Sequence, residues 1–317
     1  MIDCDDLVHV YGERTVLHGV TLHVPRGEIF GFIGPNGAGK TTTIRVLATL
    51  LAPTSGRVRV GGHDVVEDPA AVRRIMGYMP DLAGVYEHVT GAEYLDFFAS
   101  AFEIPRERRA RTVANVVELT EIGGFVEREV VALSKGQKQR LMLARTLLHD
   151  PQVLILDEPA SDLDPRARIE LRLLLAELGR MGKTIFLSSH ILTELADICT
   201  SIGIIHDGRV IASGPIAEVQ ARLRPGQRVM ITVLSDPARA EGALGALPFV
   251  REVTRLGDGP AEGGVAPARF EVAWEGERMR LADIVRALVE AGVAVVGVAP
   301  EGNDLERIFM DVTERAV

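Results

Sequence analysis

The chain has 317 residues, of which 47% are hydrophobic and 25% are charged. These proportions are those of an ordinary globular protein and not of a disordered or fibrous chain. The length suffices for one large domain and a smaller one. The formal net charge of −9 argues against nucleic-acid binding through a generally basic surface.

The cysteines and the hydropathy of the chain bear on whether it is a disulfide-bonded, zinc-binding, membrane-spanning or secreted protein. Cys4 and Cys199 lie far apart, and neither has the neighbouring cysteine or histidine that a disulfide framework or a zinc site requires. No run approaches the ~18–20 apolar residues of a membrane-spanning helix, and the first residues lack the pattern of a signal peptide. We therefore expect a protein of the reducing cytosol, which needs another chain if it works on a membrane.

The first part of the chain combines two kinds of predicted strand. Alternating apolar and polar residues predict an antiparallel flank, and short, continuous apolar runs followed by helical patterns predict buried parallel strands. The alternating strands are at 8–10, 16–24 and 57–60; the buried ones are at 29–33, 153–156 and 184–187, with helices at 41–50, 166–180 and 191–199. An α/β domain with a mixed central sheet and an antiparallel flank is predicted.

A helical insertion is predicted at about 82–132, where the strand pattern stops. Helical periodicity continues there through Tyr94, Phe97 and Phe98, and later through Val113 and Val116. The aromatic residues of this segment, which also include Tyr86, could dock on another protein or form the core of the insertion. The sequence leaves both interpretations open.

A second, smaller domain is predicted after the punctuation at 224–226, so the domains are 1–224 and 225–317. Its predicted elements follow the order β-α-β-β-α-β, which is the ferredoxin-like α+β arrangement. They lie at 228–234, 238–247, 250–255, 268–274, 278–291 and 293–298. A last helix is predicted at 304–313.

The strongest motif is a phosphate-binding loop between a predicted strand and a predicted helix. It fits the pattern G-x-x-x-x-G-K-[ST] and consists of Gly34, Pro35, Asn36, Gly37, Ala38, Gly39, Lys40 and Thr41, followed by Thr42. Its backbone N–H groups and the helix N-terminus would hold phosphate oxygens, and Lys40 would supply a positive charge. Thr41 would ligate Mg²⁺. The alternative is a glycine-rich turn that only joins strand to helix.

Two carboxylates, Asp157 and Glu158, follow the apolar run at 153–156. The carboxyl end of such a strand is where α/β sheets present their ligands. Because adjacent strand residues point to opposite sides, the two carboxylates are expected to have different tasks. Asp157 would bind Mg²⁺ and Glu158 would act as general base on the attacking water, although acidic residues before Pro159 also suit a helix cap. Together with the loop, they predict a P-loop nucleotidase.

The segment Leu133-Ser134-Lys135-Gly136-Gln137 resembles the LSGGQ signature of ATP-binding-cassette (ABC) proteins and comes about twenty residues before the acidic pair. The resemblance implies that Ser134, Gly136 and Gln137 contact the γ-phosphate of ATP held by the loop of a second cassette, so two chains complete two sites. Lys135 stands where the family commonly has glycine. Its side chain either points away from the nucleotide or adds charge beside it.

The resemblance covers about the first 220 residues and implies further roles. Tyr11 would stack on adenine, although a tyrosine at a strand end is ordinarily core. Asp164, in the loop that starts at Ser161, would cross the dimer interface, and His190 would orient the attacking water. One residue departs from the family: Asp81 stands where a glutamine usually ligates Mg²⁺, so it either replaces that ligand or caps the turn after Pro80.

The resemblance implies an ATPase subunit that powers a transporter through a separate membrane-spanning permease, as a peripheral protein on the cytoplasmic side of the membrane. Residues 304–310 resemble the closing helix of cassettes that serve exporters of drugs, lipids or polysaccharides. A homodimer is expected, with ATP and Mg²⁺ as cofactors and no nucleic acid. The alternative is a cassette ATPase that acts on ribosomes or nucleic acid, but the acidic charge and the lack of a second cassette or long coiled coil disfavour it.

Overall fold

The computed structural model describes residues 1–81, 88–161, 163–190, 198–223, 227–234, 236–258, 267–275 and 279–300. The chain forms two compact units, Met1–Val219 and a second that begins at Gln220. The predicted domain boundary falls within 224–226, outside the described residues. None of the described helices is long and apolar enough to cross a membrane.

The first unit contains two sheets and several helices. In chain order its strands are β1 (Ile2–Tyr11), β2 (Arg14–Val24), β3 (Ile29–Ile33), β4 (Ser55–Val60), β5 (His63–Asp64), β6 (Met76–Met79), β7 (Val153–Leu156), β8 (Thr184–Ser189), β9 (Ser201–His206) and β10 (Arg209–Pro215). Its helices are α1 (Lys40–Leu47), α2 (Pro69–Ile75), α3 (Gly91–Ala101), α4 (Arg106–Leu119), a short 3-10 helix (Val130–Ala132), α5 (Lys135–Leu147) and α6 (Pro165–Arg180). The next helix, α7 (Ile216–Leu223), begins in the first unit and ends in the second.

The central sheet has the strand order β10-β9-β3-β8-β7-β6. Its strands are parallel except β10, which runs antiparallel to β9. Every residue of β3, β7 and β8 is buried, as expected for apolar strands covered on both faces. The predicted mixed sheet is confirmed. Its consequence for function is that β3, β7 and β8 end at one edge.

The antiparallel flank forms a sheet of its own, with the order β2-β1-β4-β5. Its inward-facing apolar residues share one core with the central strands and α1. This packing follows from the alternation along β1 and β2, which gives each strand one apolar face.

Some predicted helix ends were wrong. Helix α1 ends at Leu47 and not at residue 50, because Thr49 adopts a left-handed backbone (φ 59°) that a helix cannot continue. The helix predicted at 191–199 falls mostly on 191–197, outside the described residues, and Ile198 and Cys199 are not helical.

The described part of the predicted insertion is helical. Thr90 and Glu93 form a capping box that starts α3, and α3 packs on α4 and α5. Tyr94 is buried and Phe97 is 57% exposed, so the aromatic residues divide between core and surface. Tyr86 lies outside the described residues.

The second unit follows the predicted order β-α-β-β-α-β. Its elements are β11 (Gln227–Val233), α8 (Pro237–Gly245), β12 (Val250–Asp258), β13 (Ala268–Trp274), α9 (Arg280–Glu290) and β14 (Val295–Pro300). The strands form an antiparallel sheet in the order β12-β13-β11-β14. Helices and sheet share an apolar core that includes Phe270 and Ile284. The ferredoxin-like classification stays a prediction, and the predicted helix at 304–313 lies outside the described residues.

Candidate active site

The phosphate-binding loop joins the end of β3 to the start of α1 and needs glycine at several positions. Gly37 (φ 83°) and Gly39 (φ 107°) have left-handed backbones that favour glycine. A Cβ on Gly34 would lie 2.4 Å from the carbonyl oxygen of Ile205. Asn36 and Gly37 are exposed at the tip, so the loop can present its backbone N–H groups to an anion, as a phosphate cradle requires.

Lys40 places its ammonium group beneath this loop. The side chain is only 6% exposed, and its Nζ donates to the carbonyl oxygens of Gly34 (2.6 Å) and Pro35 (3.3 Å). The same Nζ lies 3.4 Å from Oε1 of Glu158. The loop therefore carries a buried positive charge that has one carboxylate partner.

Asp157 is 2% exposed and belongs to a hydrogen-bonded group. Its Oδ1 accepts from Oγ of Ser188 at 2.7 Å, and it also hydrogen-bonds the side chain of Thr41. Burial raises the pKa of Asp157, and the bonds from Ser188 and Thr41 oppose that rise in part. Carboxylate and hydroxyl oxygens are thus paired at the start of α1.

Glu158 does not continue strand β7, which ends at Leu156. The expectation that alternation along a strand separates the two carboxylates was therefore wrong. Glu158 instead adopts a left-handed backbone (φ 47°), and its N–H donates to Oγ of Ser188 at 2.9 Å. A non-glycine residue in this conformation is strained, and such strain is typical of functional sites.

The Glu158 side chain links two predicted site residues. Its Oε2 lies 2.9 Å from Nδ1 of His190, and its Oε1 faces Lys40. His190 follows β8, and its side chain is 41% exposed, against 14% for Glu158. The carboxylate is thus held between a buried cation and an accessible imidazole.

Ser188 belongs to the candidate site, and the sequence analysis did not predict it. Its hydroxyl contacts both the Asp157 carboxylate and the Glu158 backbone. The signal available was its position near the end of β8, next to β7 in the parallel sheet, together with the His190 that follows.

The signature residues form the start of α5. Ser134 is the N-cap: its Oγ accepts from the Gln137 N–H (3.3 Å), and the Gln137 side chain accepts from the Ser134 N–H (2.9 Å). Lys135 is exposed. A Cβ on Gly136 would lie 3.4 Å from the Cβ of Ala167, so this segment adjoins α6.

Asp164 caps α6, because its Oδ1 accepts from the N–H groups of Arg166 and Ala167, both at 3.0 Å. The structure therefore sets the signature residues beside the Asp164 loop, and groups Lys40 with the Asp157–Glu158 pair. Tyr11 ends β1 and is 42% exposed, with its ring edge on His9.

The residues around Asp157 fit a magnesium ion. Mg²⁺ prefers oxygen ligands, keeps several waters and uses one or two carboxylates together with substrate phosphates. Thr41 and Asp157 supply such oxygens side by side. No cluster of three or more His, Cys, Asp or Glu that could hold a metal ion occurs within the described ranges. Asp81, exposed two residues after β6, stays a predicted ligand.

Asp157→Asn is expected to raise the midpoint of thermal unfolding of the ligand-free protein at neutral pH. The pKa of Asp157 in the folded protein is raised above the ordinary value of 3.8. Ionisation of this buried carboxyl therefore lowers the free energy of unfolding fully at pH values above the folded pKa, and not at all at pH values below 3.8. The gain should therefore shrink as the pH falls towards 4. Circular-dichroism melts across this range measure it, with the exposed Asp96→Asn as control; equal melts at neutral pH would contradict the prediction.

Comparison with known proteins identifies the family. Residues 17–161 match the family described as ABC transporter. The chain is 35% identical over 303 residues to the daunorubicin resistance ATP-binding protein DrrA3 of Streptomyces coeruleorubidus, covering 96% of this chain and 92% of the relative. It is 38% identical over 213 residues to the Nod factor export ATP-binding protein I of Paraburkholderia xenovorans, covering 67% of this chain and 70% of the relative.

A solved structure agrees with these relatives. The structure of an ATP-binding subunit of an ABC transporter superposes with a TM-score of 0.64 at 33% identity, covering 70% of this chain and 92% of that one. The fold, the nucleotide loop and the relatives lead to one assignment. This chain belongs to the ATP-hydrolysing, ATP-binding subunits of ABC transporters, among those of the ABC-2 exporter type.

Proposed function

We propose that this subunit hydrolyses ATP with Glu158 as general base and His190 as the group that orients it, and that a dimer of cassettes drives a separate exporter permease. The observation that carries the assignment of roles is the chain of contacts from Lys40 through Glu158 to His190. A base must lie within hydrogen-bond reach of the proton it removes and must itself be held in position. His190 and the Ser188 anchor supply that positioning.

The proposed reaction is an in-line attack of water on the γ-phosphorus. The water proton passes to the Glu158 carboxylate, a new P–O bond forms, and the bond between the γ-phosphorus and the bridging oxygen breaks to release ADP. Lys40 and the loop N–H groups offset the charge on the phosphate oxygens. Mg²⁺, held by Thr41 and Asp157, would neutralise charge between the β- and γ-phosphates.

Lys40 also makes the base dependent on nucleotide. Its ammonium is shared between loop carbonyls and Glu158. Phosphate oxygens compete for the same donors because they are stronger charged acceptors than carbonyls. ATP binding would draw Lys40 away from Glu158 and leave that carboxylate to the water.

The second cassette is supported by Gly136. An added Cβ there would make only ordinary contacts within its own chain, at 3.4 Å to Ala167 and 3.7 Å to Leu163. Packing within the described part of this chain therefore does not require glycine at this position. Close approach of another molecule does, and in the family resemblance that molecule is the ATP of the partner cassette. The positive end of the α5 helix dipole, at its N-terminus, suits a phosphate.

The permease is supported by the relatives, whose names concern drug resistance and Nod factor export. We propose that this chain serves a multi-spanning exporter, as a peripheral protein at the cytoplasmic side of the membrane. The cargo would bind to the permease and not to the cassette, since the proposed site is specific for nucleotide.

Glu158→Gln is expected to bind ATP at least as tightly as the parent, because the amide no longer competes with phosphate for Lys40. It should lose hydrolysis by about 10²–10⁴-fold, because the amide cannot accept the water proton. Phosphate release under saturating ATP measures turnover, and equilibrium titration with a fluorescent ATP analogue measures binding. The exposed Glu118→Gln is the control. Near-normal turnover in Glu158→Gln would remove Glu158 from the role of base.

Gly136→Ala is expected to keep the stability and the ATP affinity of the isolated chain but to weaken ATP-dependent dimerisation and turnover. The added methyl group fits its own chain but would stand between α5 and the partner's nucleotide. Sedimentation of the Glu158→Gln form with and without this second substitution measures the dimer. Dimers of equal strength in both forms would show that no partner approaches Gly136.

The Glu158→Gln form, tagged in its native cell, is expected to recover a multi-spanning membrane protein when membranes are solubilised in mild detergent with ATP. Trapped ATP should hold the dimer closed on the permease. The same form with Lys40→Ala, which lacks the phosphate-binding cation, is the matched control and should recover less. Recovery of ribosomes or nucleic acid instead would overturn the transporter proposal and leave the ATPase chemistry standing.

A further inference from the structure

Arg145, on the second half of α5, touches two other elements at once. One guanidinium nitrogen donates to the Tyr94 hydroxyl of α3 at 3.2 Å, and the other donates to the Tyr78 carbonyl oxygen of β6 at 3.3 Å. The guanidinium carbon also lies 5.1 Å from the centre of the Phe98 ring, within the range of a cation–π contact. One side chain thus joins α3 to β6.

His149 repeats the arrangement just after α5. Its Nε2 donates to the Met76 carbonyl oxygen of β6 at 2.9 Å, and its ring packs against that of Phe102, with the centres 4.3 Å apart. Burial lowers the pKa of His149, and its Nδ1 has no hydrogen-bond partner among the described residues. Both observations fit a neutral imidazole with its proton on Nε2.

The donors, the rings and the acceptor carbonyls of these two contacts are regularly spaced in sequence. Arg145 and His149 are four residues apart, as are Phe98 and Phe102; in each pair the first residue lies in its helix and the second just after it. The two acceptor carbonyls belong to Met76 and Tyr78, two residues apart and thus on one edge of the strand. We call this double contact the α5 seam, defined by Arg145 and His149.

The α5 seam lies between the nucleotide side of the cassette and the surface of its insertion. On one side, the carbonyl oxygen of Met79, in β6, accepts from the Asp157 N–H at 2.9 Å. On the other, α3 exposes Phe97 at 57% and is followed by Phe102 at 38%. A shift of β6 would therefore reach α3 through hydrogen bonds and ring contacts that have defined directions.

We propose that Arg145 and His149 are positioning residues that couple ATP binding at the Asp157 end of β6 to the position of α3. This inference rests on the proposed nucleotide site. The planar guanidinium of Arg145 suits this coupling, because it can donate to two acceptors while it stacks on a ring. Lysine has a single ammonium and cannot hold all three contacts together.

The test measures hydrogen exchange in the full chain carrying Glu158→Gln, with and without Mg·ATP. Segment 34–47 reports ATP binding, and segment 91–102 reports the response of α3. In this parent, ATP is expected to slow exchange in the first segment and to change it in the second. Added Arg145→Lys should leave the response of 34–47 unchanged and largely abolish that of 91–102.

Matched variants separate coupling from simple packing. His149→Gln keeps a donor for the Met76 carbonyl but loses the ring contact, and it should weaken the α3 response in the same direction. Arg180→Lys, on the surface of α6, should respond like the parent. Should Arg145→Lys fail to fold, His149→Gln carries the test.

Two results would overturn the inference. One is an unchanged ATP response of 91–102 in both seam variants; the other is equally altered exchange there with and without ATP, which would mean only lost packing. A parent in which ATP does not protect 34–47 would instead refute the proposed nucleotide site, so the two failures are distinguishable.

Discussion

The buried ammonium of Lys40 determines what the rest of the site must supply. A charge with 6% exposure costs several kcal/mol unless it is paired and hydrogen-bonded. The loop carbonyls of Gly34 and Pro35 provide dipoles, and Glu158 provides the opposite charge. Glu158 reaches it from a left-handed backbone, two residues after the end of β7. Ser188 then fixes that conformation by accepting the Glu158 N–H. The left-handed conformation of Glu158 and its contact with Ser188 therefore both help to pair the buried charge of Lys40.

The sequence predicted the residues of this site better than their relations. The loop and the acidic pair stand in motifs whose spacing follows from strand, turn and helix geometry, whereas the role of His190 was implied by the family resemblance. The strands β3 and β7 have the predicted bounds. Ser188 carried no motif, because its hydroxyl acts through tertiary contacts with the Asp157 carboxylate and the Glu158 backbone. The φ of Glu158 was equally hidden, since a left-handed glutamate is unfavourable locally and is held by tertiary contacts. The α5 seam was missed for the same reason: its hydrogen-bond partners are 51 to 73 residues away in sequence.

The N-caps Ser134 and Asp164 show how helix capping and the proposed function of the signature are compatible. Ser134 and Asp164 are ordinary N-caps, and each would be predicted on any helix of this kind. By capping, they fix where the first turns of α5 and α6 begin and so align the N–H groups of α5 next to Gly136. A residue that stabilises its own helix thereby also shapes the proposed anion site, so its structural role and its proposed role are compatible.

Helix α5 links the signature residues at its start to the α5 seam at its end. It has 13 residues, so it spans roughly 20 Å at 1.5 Å per residue. Its first turn carries the signature, and its far end carries the α5 seam to β6 and α3. A helix fixed at both ends transmits a displacement because its interior is bonded along its whole length. A side chain with fewer directed hydrogen bonds at position 145 would absorb the same motion by changing rotamer. The two directed donors of the guanidinium therefore matter more here than its charge.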